Sequence, residues 1–329
     1  MRPEKEGLSV LSGQINKQKK KPVLQRIKQN RIAYVFLLPT LLAMLFLHIF
    51  PIMQGIYMSF LELNQFTLSQ YLLAPFVGLD NFYKVLIDVN SPIRIGLFEA
   101  VRNTVIYTLL VTVGTLGVGM VVALMLNRKF FGRSLVRTLF LFPWIIPTYV
   151  TGLLWGIMWL KEGGLINVML VDWLHLLPFK PSWLTGANTI WAIIIPTIWR
   201  YWPLSMLMLL AGLQTIPEEL YEAADIDGAG PWRKFWMITW PMLQPVWFIL
   251  ILFGLISNTY SFNIVIMMFG FGAGFPGEWG DLMMTNIFRN SFQLWNFGTG
   301  AAASVLLLIV MVAIVNVWFR LYKQAEEVR

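Results

Sequence analysis

The residues of this chain that could do chemistry are few, and their types point to recognition rather than to bond making. There is no cysteine and only two histidines, His48 and His175, so neither a disulfide nor a thiolate metal site can be built. No paired carboxylates, nucleophile motif or ligand cluster appears, and no Gly-Lys dipeptide exists to open a P-loop. Three sets remain. Five carboxylates crowd into the stretch from Glu218 to Asp227. Arg200 stands near the centre of an apolar run, beside Trp199, Tyr201 and Trp202. Ser257-Asn258-Thr259-Tyr260-Ser261-Phe262-Asn263 puts hydroxyls and amides in the middle of another. Hydroxyls and amides match the hydroxyl groups of a polar solute, and aromatic faces stack on the apolar faces of sugar rings. Hydrogen bonding between packed helices explains the same residues equally well. Asn103, Thr104, Tyr107 and Thr108 form a weaker set of the same kind. Arg200 keeps its charge and costs about 2.5–3.5 kcal/mol at mid-membrane. It must therefore face backbone carbonyls, water, an acid of another subunit, or an anionic solute whose carboxylate it could pair with bidentately.

The elements that would position these groups are apolar and long. The 329 residues are 57% hydrophobic and 13% charged, with a mean hydropathy of +0.65, which excludes a soluble globular chain. Six all-α spans are expected at 32–60, 104–126, 139–160, 189–213, 245–270 and 299–319, each near the roughly 20 apolar residues a bilayer requires. The first is long enough to be tilted, broken near Pro51 or projecting. Segments 1–31, 127–138, 214–244 and 320–329 hold 18 of the 25 Lys and Arg residues, against 6 in the intervening loops. The positive-inside rule then places both termini and the acidic stretch in the cytoplasm. The basic tail 1–31, with Lys19-Lys20-Lys21, suits anionic headgroups better than nucleic acid. Gly78–Ile87 has the spacing of a short amphipathic helix lying against the outer membrane face, and Gly163–Trp183 reads as an ordered interfacial cap or a surface for a protein partner. Phe269–Trp279 is a glycine-rich loop without a positioned lysine. Trp155, Trp159, Trp295 and Trp318 fall near span ends, where indoles favour the interface. All seventeen acids are expected in loops or tails, which leaves no proton relay within the spans.

Gln214–Gln244 is the longest polar interruption in the second half of the chain, and it reads as two short helices with a sharp break. Thr215 and Glu218 have capping-box spacing and Pro217 suits a first helical turn. Gly228 or Gly230 can supply a positive-φ stop, and Pro231 can open the next helix. Ile216, Leu220, Ala223 and Ala224 share a face that another surface could approach closely. Asp225 and Asp227 lie at the unfavourable end of the helix dipole unless something basic pairs with them.

Glu222-Ala223-Ala224, then Gly228, Ile238 and Pro241, resembles the EAA loop of bacterial ATP-binding-cassette importer permeases. Gly212–Pro217, Gly78–Phe82, Arg137-Thr138 with Phe142-Pro143, and Gly298 with Ala301-Ala302 extend the resemblance to the MalF/UgpA-type permeases of carbohydrate importers, from about Phe36 to Tyr322. In this region the family usually reads Gly-Gly-Pro, where here Phe275 precedes Pro276 among spread glycines. The resemblance implies that Glu222, Ala223, Ala224, Asp227 and Gly228 couple the chain to an ATPase. It implies a six-span permease domain over 32–322, a short cytoplasmic tail at 323–329, and an inner-membrane location. The implied partners are a homologous second permease, two ATPase subunits that hold ATP and magnesium, and an extracytoplasmic solute-binding protein. No cofactor and no catalysis belong to this chain on that reading. Its expected solute is an oligosaccharide, acidic alginate- or pectin-like chains included, with Arg200, Tyr201, Trp202, Asn258, Tyr260, Ser261 and Asn263 along the path. Import of a small anion such as glycerol phosphate is the alternative, and an ATP-independent secondary carrier is the alternative of another class.

Overall fold

A computed structural model describes residues 31–270 and 274–327, with side chains to residue 324. The basic tail expected at 1–31 lies outside the described residues except for Arg31, as do 271–273 of the glycine-rich loop and the last two residues of the tail expected at 323–329. Apart from one antiparallel bridge between Leu61 and Phe76, the described residues form helices and their connections.

The chain divides into two compact units after Gly55. The described part of the first, residues 31–55, belongs to α1 (Arg31–Met58), a helix 28 residues long and apolar enough to cross a bilayer. Its predicted irregularity is a π turn at Leu45–Ile49, just ahead of Pro51. The proline has no N–H to give and its ring presses on the preceding turn, which widens to accommodate it.

In the second unit α2 (Asp80–Leu86) confirms the short helix expected after Gly78, but it packs on protein. Asn81 and Val85 are buried, and Asn81 Nδ2 donates to the carbonyls of Ser59 at 3.0 Å and Leu61 at 2.8 Å. α3 (Leu97–Asn127) runs 31 residues, about 46 Å at 1.5 Å per residue, and begins earlier than the expected 104. Glu99 therefore sits inside a helix, in the first turn, where the dipole favours an acid.

Two of the expected spans are broken. The third is assembled from α4 (Arg133–Phe140), a turn at Phe142–Ile145 and α5 (Thr148–Met158), with an 87° bend between the pieces. Ile146 is extended because Pro147 bars it from the helical region, and Pro147 brings no donor to continue the ladder. α6 (Thr189–Leu213) follows, then α7 (Glu218–Ile226). Pro231–Met242 meets α8 (Gln244–Thr259) at 69°. α8 stops at Thr259 and the chain resumes as α9 (Asn263–Met268), so the continuous span expected at 245–270 does not exist. α10 (Met283–Phe288) leads into α11 (Phe297–Glu327). Among the described residues four helices are individually long and apolar enough to cross a membrane, and counting each bent pair as one span brings the number to six.

The central packing pair is α3 with α6. A Cβ on Gly119 would stand 2.8 Å from Ser205 Cβ and 2.9 Å from the Met206 amide, so only glycine permits this approach. Around that contact Tyr107, Val111, Ile193, Ile264 and Leu282 form one buried cluster, and Met120, Leu126, Met206, Leu209, Leu213 and Leu243 form another toward α7. Trp155 and Trp159 belong to the first cluster, 9% and 3% exposed, and not to an interfacial belt. The Trp159 indole donates to the Ala192 carbonyl at 3.0 Å, and its ring lies 4.8 Å from Trp183. That neighbour comes from the ordered 163–183 segment, where Asn167 Oδ1 accepts the Trp183 indole N–H at 2.8 Å. Trp295 is 47% exposed, and Trp318 packs on Phe248.

Candidate functional site

Two sites follow from these elements, one at the α6–α8 connection and one in the middle of the spans. At the first, the expected capping box is absent. The Thr215 hydroxyl donates to Gly212 O at 2.8 Å, and Pro217 is the residue that starts α7. Buried Ile216 fastens the entry to the core. The end of α7 is sharper. Gly228 takes φ +71°, its N–H donates to Asp225 O at 3.0 Å, and the Ala229 N–H donates to Ala224 O at 2.8 Å. This is a complete Schellman stop, with glycine at the residue that must be left-handed. Gly230 keeps φ at −67° and Pro231 opens the next turn.

Lys234 Nζ reaches Asp225 Oδ1 at 2.7 Å across that turn and supplies the cation the helix end lacked. The Tyr221 and Thr239 hydroxyls meet at 2.9 Å, so the two arms of the loop are tied twice. Glu222, Ala223 and Asp227 remain exposed, with Ala224 half-buried. Leu220, Ile226 and Trp232 are 41%, 87% and 73% exposed. A rigid helix that presents acids beside bare apolar side chains is equipped to dock.

In the spans, Tyr107 of α3 is fully buried, its hydroxyl 2.9 Å from Thr197 Oγ1 of α6 and 2.8 Å from Ser261 Oγ in the break after α8. Asn258 Nδ2 donates to Thr112 Oγ1 at 3.1 Å. Tyr201, Ser257 and Asn258 line a cleft of about 30 Å³ with Thr115 and Ser205, room for a water or two. The polar run thus serves helix contact at Asn258 and Ser261, while Tyr260 and Asn263 are exposed. Trp202 stands apart, edge-on to Phe140 at 5.5 Å.

Arg200 is at neither place. Its Nη1 donates to the carbonyls of Pro143 at 3.3 Å and Trp144 at 2.8 Å, and its Nη2 to Thr148 Oγ1 at 3.3 Å. These are the acceptors freed by the bend at Ile146-Pro147, so the guanidinium bridges the broken third span. Backbone carbonyls are the partner that the arginine's cost required. Sequence reasoning passed over Thr112, Thr115, Thr197 and Ser205. The available signal was a stripe of buried hydroxyls at helical spacing on α3, namely Thr104, Thr108, Thr112 and Thr115.

Toward the other end, Asn103 Nδ2 donates to the carbonyls of Glu278 at 2.6 Å and Asp281 at 3.0 Å, and Thr104 Oγ1 accepts the Met283 N–H at 2.8 Å. Asn103 and Thr104 of the weaker polar set therefore hold the 278–283 segment onto α3. Asp281, 2% exposed, pairs with Arg289 at 2.8 Å and accepts from Thr285 at 2.7 Å. Burial pushes its carboxyl above the ordinary range, against the opposing pull of Arg289.

Residues 115–326 match the family model of the binding-protein-dependent transport system inner membrane component. The chain belongs to this family. It is 33% identical to the sulfoquinovosyl glycerol transport system permease protein SmoG of Agrobacterium fabrum, over 90% of the chain and 91% of that protein. It is 31% identical to the trehalose/maltose transport system permease protein MalF of Thermococcus litoralis, over 90% and 95%. The fold matches a chain of a bacterial ABC transporter involved in the import of the acidic polysaccharide alginate, with a TM-score of 0.74 over 92% of this chain and 98% of that one, at 23% identity. The chain is thus a multi-pass translocation subunit, and α7 with its Schellman stop is the loop that carries the Glu222-Ala223-Ala224 motif.

Proposed function

We propose that this permease imports a carbohydrate-bearing solute, delivered by an extracytoplasmic binding protein and driven by ATPase subunits that dock on α7. ATP and magnesium reside on those subunits, a homologous permease completes the pathway, and both termini face the cytoplasm. The observation that carries this reading is α7 itself, an ordered helix whose acidic and apolar side chains are left uncovered beside a glycine stop. Relatives that serve sulfoquinovosyl glycerol and trehalose or maltose, and a structural neighbour that serves alginate, support the solute class.

The path runs along Tyr201, Asn258, Tyr260, Ser261 and Asn263, with Trp202 and Arg200 flanking it. Glu222, Ala223, Ala224, Asp227 and Gly228 form the coupling surface. The test is ATPase stimulation of the reconstituted complex, binding protein present, by a panel of neutral and acidic oligosaccharides and glycerol phosphate. Stimulation by one oligosaccharide class is expected. Transport without any ATPase would overturn the reading, and stimulation by glycerol phosphate alone would move the solute to small anions.

A further inference from the structure

The connection between α3 and the third span has a construction that neither the coupling loop nor the solute path explains. Arg128, Lys129, Arg133 and Arg137 occur within ten residues, and no Asp or Glu is found between Glu99 and Glu162. Among the described residues none of the four has a carboxylate partner. Arg133 and Arg137 lie one turn apart on α4, half-buried, and Arg133 Nε and Nη2 and Arg137 Nε are enclosed with no acceptor among the described residues. The opposite face of α4 is bare and apolar. Leu135 and Leu139 are 65% and 62% exposed, with Phe131 and Phe142 at 105% and 63% on either side. Beside them Arg128, Lys129, Phe130, Val136 and Phe140 line an open groove of about 620 Å³ against the end of α3.

We propose that this elbow binds one anionic phospholipid. The site lies just past the last turn of one membrane-length helix and at the start of a bent span, the depth at which a headgroup layer must pass. A bare leucine and phenylalanine face on one side of α4, with Arg133 and Arg137 on the other and Arg128 and Lys129 lining the groove between α4 and α3, matches a lipid on both counts. The apolar face meets acyl chains, and the phosphate supplies the negative charge that the surrounding chain omits. Bidentate pairing of guanidinium with phosphate selects an anionic headgroup over a zwitterionic one, whose own cation competes for the same oxygens. A carboxylate-bearing protein partner would satisfy the arginines but would leave no reason for the groove's apolar wall and fully exposed Phe131.

The test uses the purified complex, with lipid retention read by native mass spectrometry after exposure to phosphatidylglycerol or phosphatidylcholine. Wild type is expected to retain phosphatidylglycerol preferentially. The double variant Arg133→Gln with Arg137→Gln is expected to lose about tenfold or more in that retention, with phosphatidylcholine unchanged. Equal retention of both lipids by wild type, or an undiminished preference in the variant, overturns the proposal. Displacement of the lipid by excess inorganic phosphate would assign the charge to a soluble ion and overturn it too. Should the double variant fail to assemble, Leu135→Cys in the parent background carries a fluorophore, because the chain has no other cysteine. Quenching by spin-labelled phospholipid is expected. Absence of quenching with crosslinking to a partner subunit would give the face to that partner.

Discussion

At the scale of single residues, Arg200 is the clearest case of a charge whose position is explained by what it repairs. It donates to two carbonyls and one hydroxyl at the Ile146-Pro147 bend. Arg200→Gln cannot span all three, and the unmade bonds should cost about 1–3 kcal/mol, read as a lower melting temperature of the purified complex. If the guanidinium also meets an acidic solute, stimulation by acidic sugars will fall while neutral sugars are spared; equal loss for both is the outcome of a bridging role alone. Asp281→Asn should also lower stability, by about 1–3 kcal/mol, because an amide turns a donor toward one of the places where the carboxyl accepts from Thr285, Asn286 and Arg289. The pH dependence has a definite sign. Asp281 holds its proton more tightly folded than unfolded, so its contribution to stability is fully present below the ordinary value near 3.8 and is lost as pH rises through the raised folded value. The melting gap between wild type and Asp281→Asn should therefore narrow as pH climbs through that window, and a widening gap would contradict the assignment.

At the scale of elements, the α7 stop is the feature with most riding on one residue. Gly228→Val forces a β-branched side chain to φ +71°, a local strain of about 1–3 kcal/mol that unwinds the Schellman turn and turns the exposed face of α7 away. Insertion and pairing with the second permease should survive, while solute-stimulated ATPase activity is lost; normal stimulation at normal expression would remove the coupling role. This element was legible from the chain because its signals are local: a proline before the helix, a glycine after it, and another proline to restart. Its cap was misjudged for the same reason, since the Thr215 hydroxyl donates back to the Gly212 carbonyl at the end of α6 and accepts no N–H of α7. The long spans were legible in number but not in shape. Hydropathy averages over a window and does not register that Ile146-Pro147 bends the third, nor that Ser261 leaves the helix to meet Tyr107. Trp155 and Trp159 sit near a helix end by sequence, but Trp155 meets Trp199 of α6 and Trp159 meets Trp183 from the 163–183 segment, contacts that no local pattern announces.

At the scale of the whole molecule, the direction of transport depends on which end faces which side. Single cysteines on the otherwise cysteine-free chain test it directly. Asp172→Cys should react with an impermeant reagent in intact cells, and Glu219→Cys on α7 should react only after the cells are opened. Labelling of Glu219→Cys from outside would overturn the topology. The bent third span has a further consequence, one that concerns the order of synthesis. Pro143 and Trp144 leave the ribosome 57 and 56 residues ahead of the arginine that receives their carbonyls. At about 5–20 residues per second, Arg200 follows about 3–11 s later. During that interval the bend has no donor from its own chain, so the third span enters the bilayer before it can hold its final shape. Pro147 sets the angle and the arrival of the fourth locks it, so a nascent chain halted short of Arg200 would carry a third span still waiting to be locked.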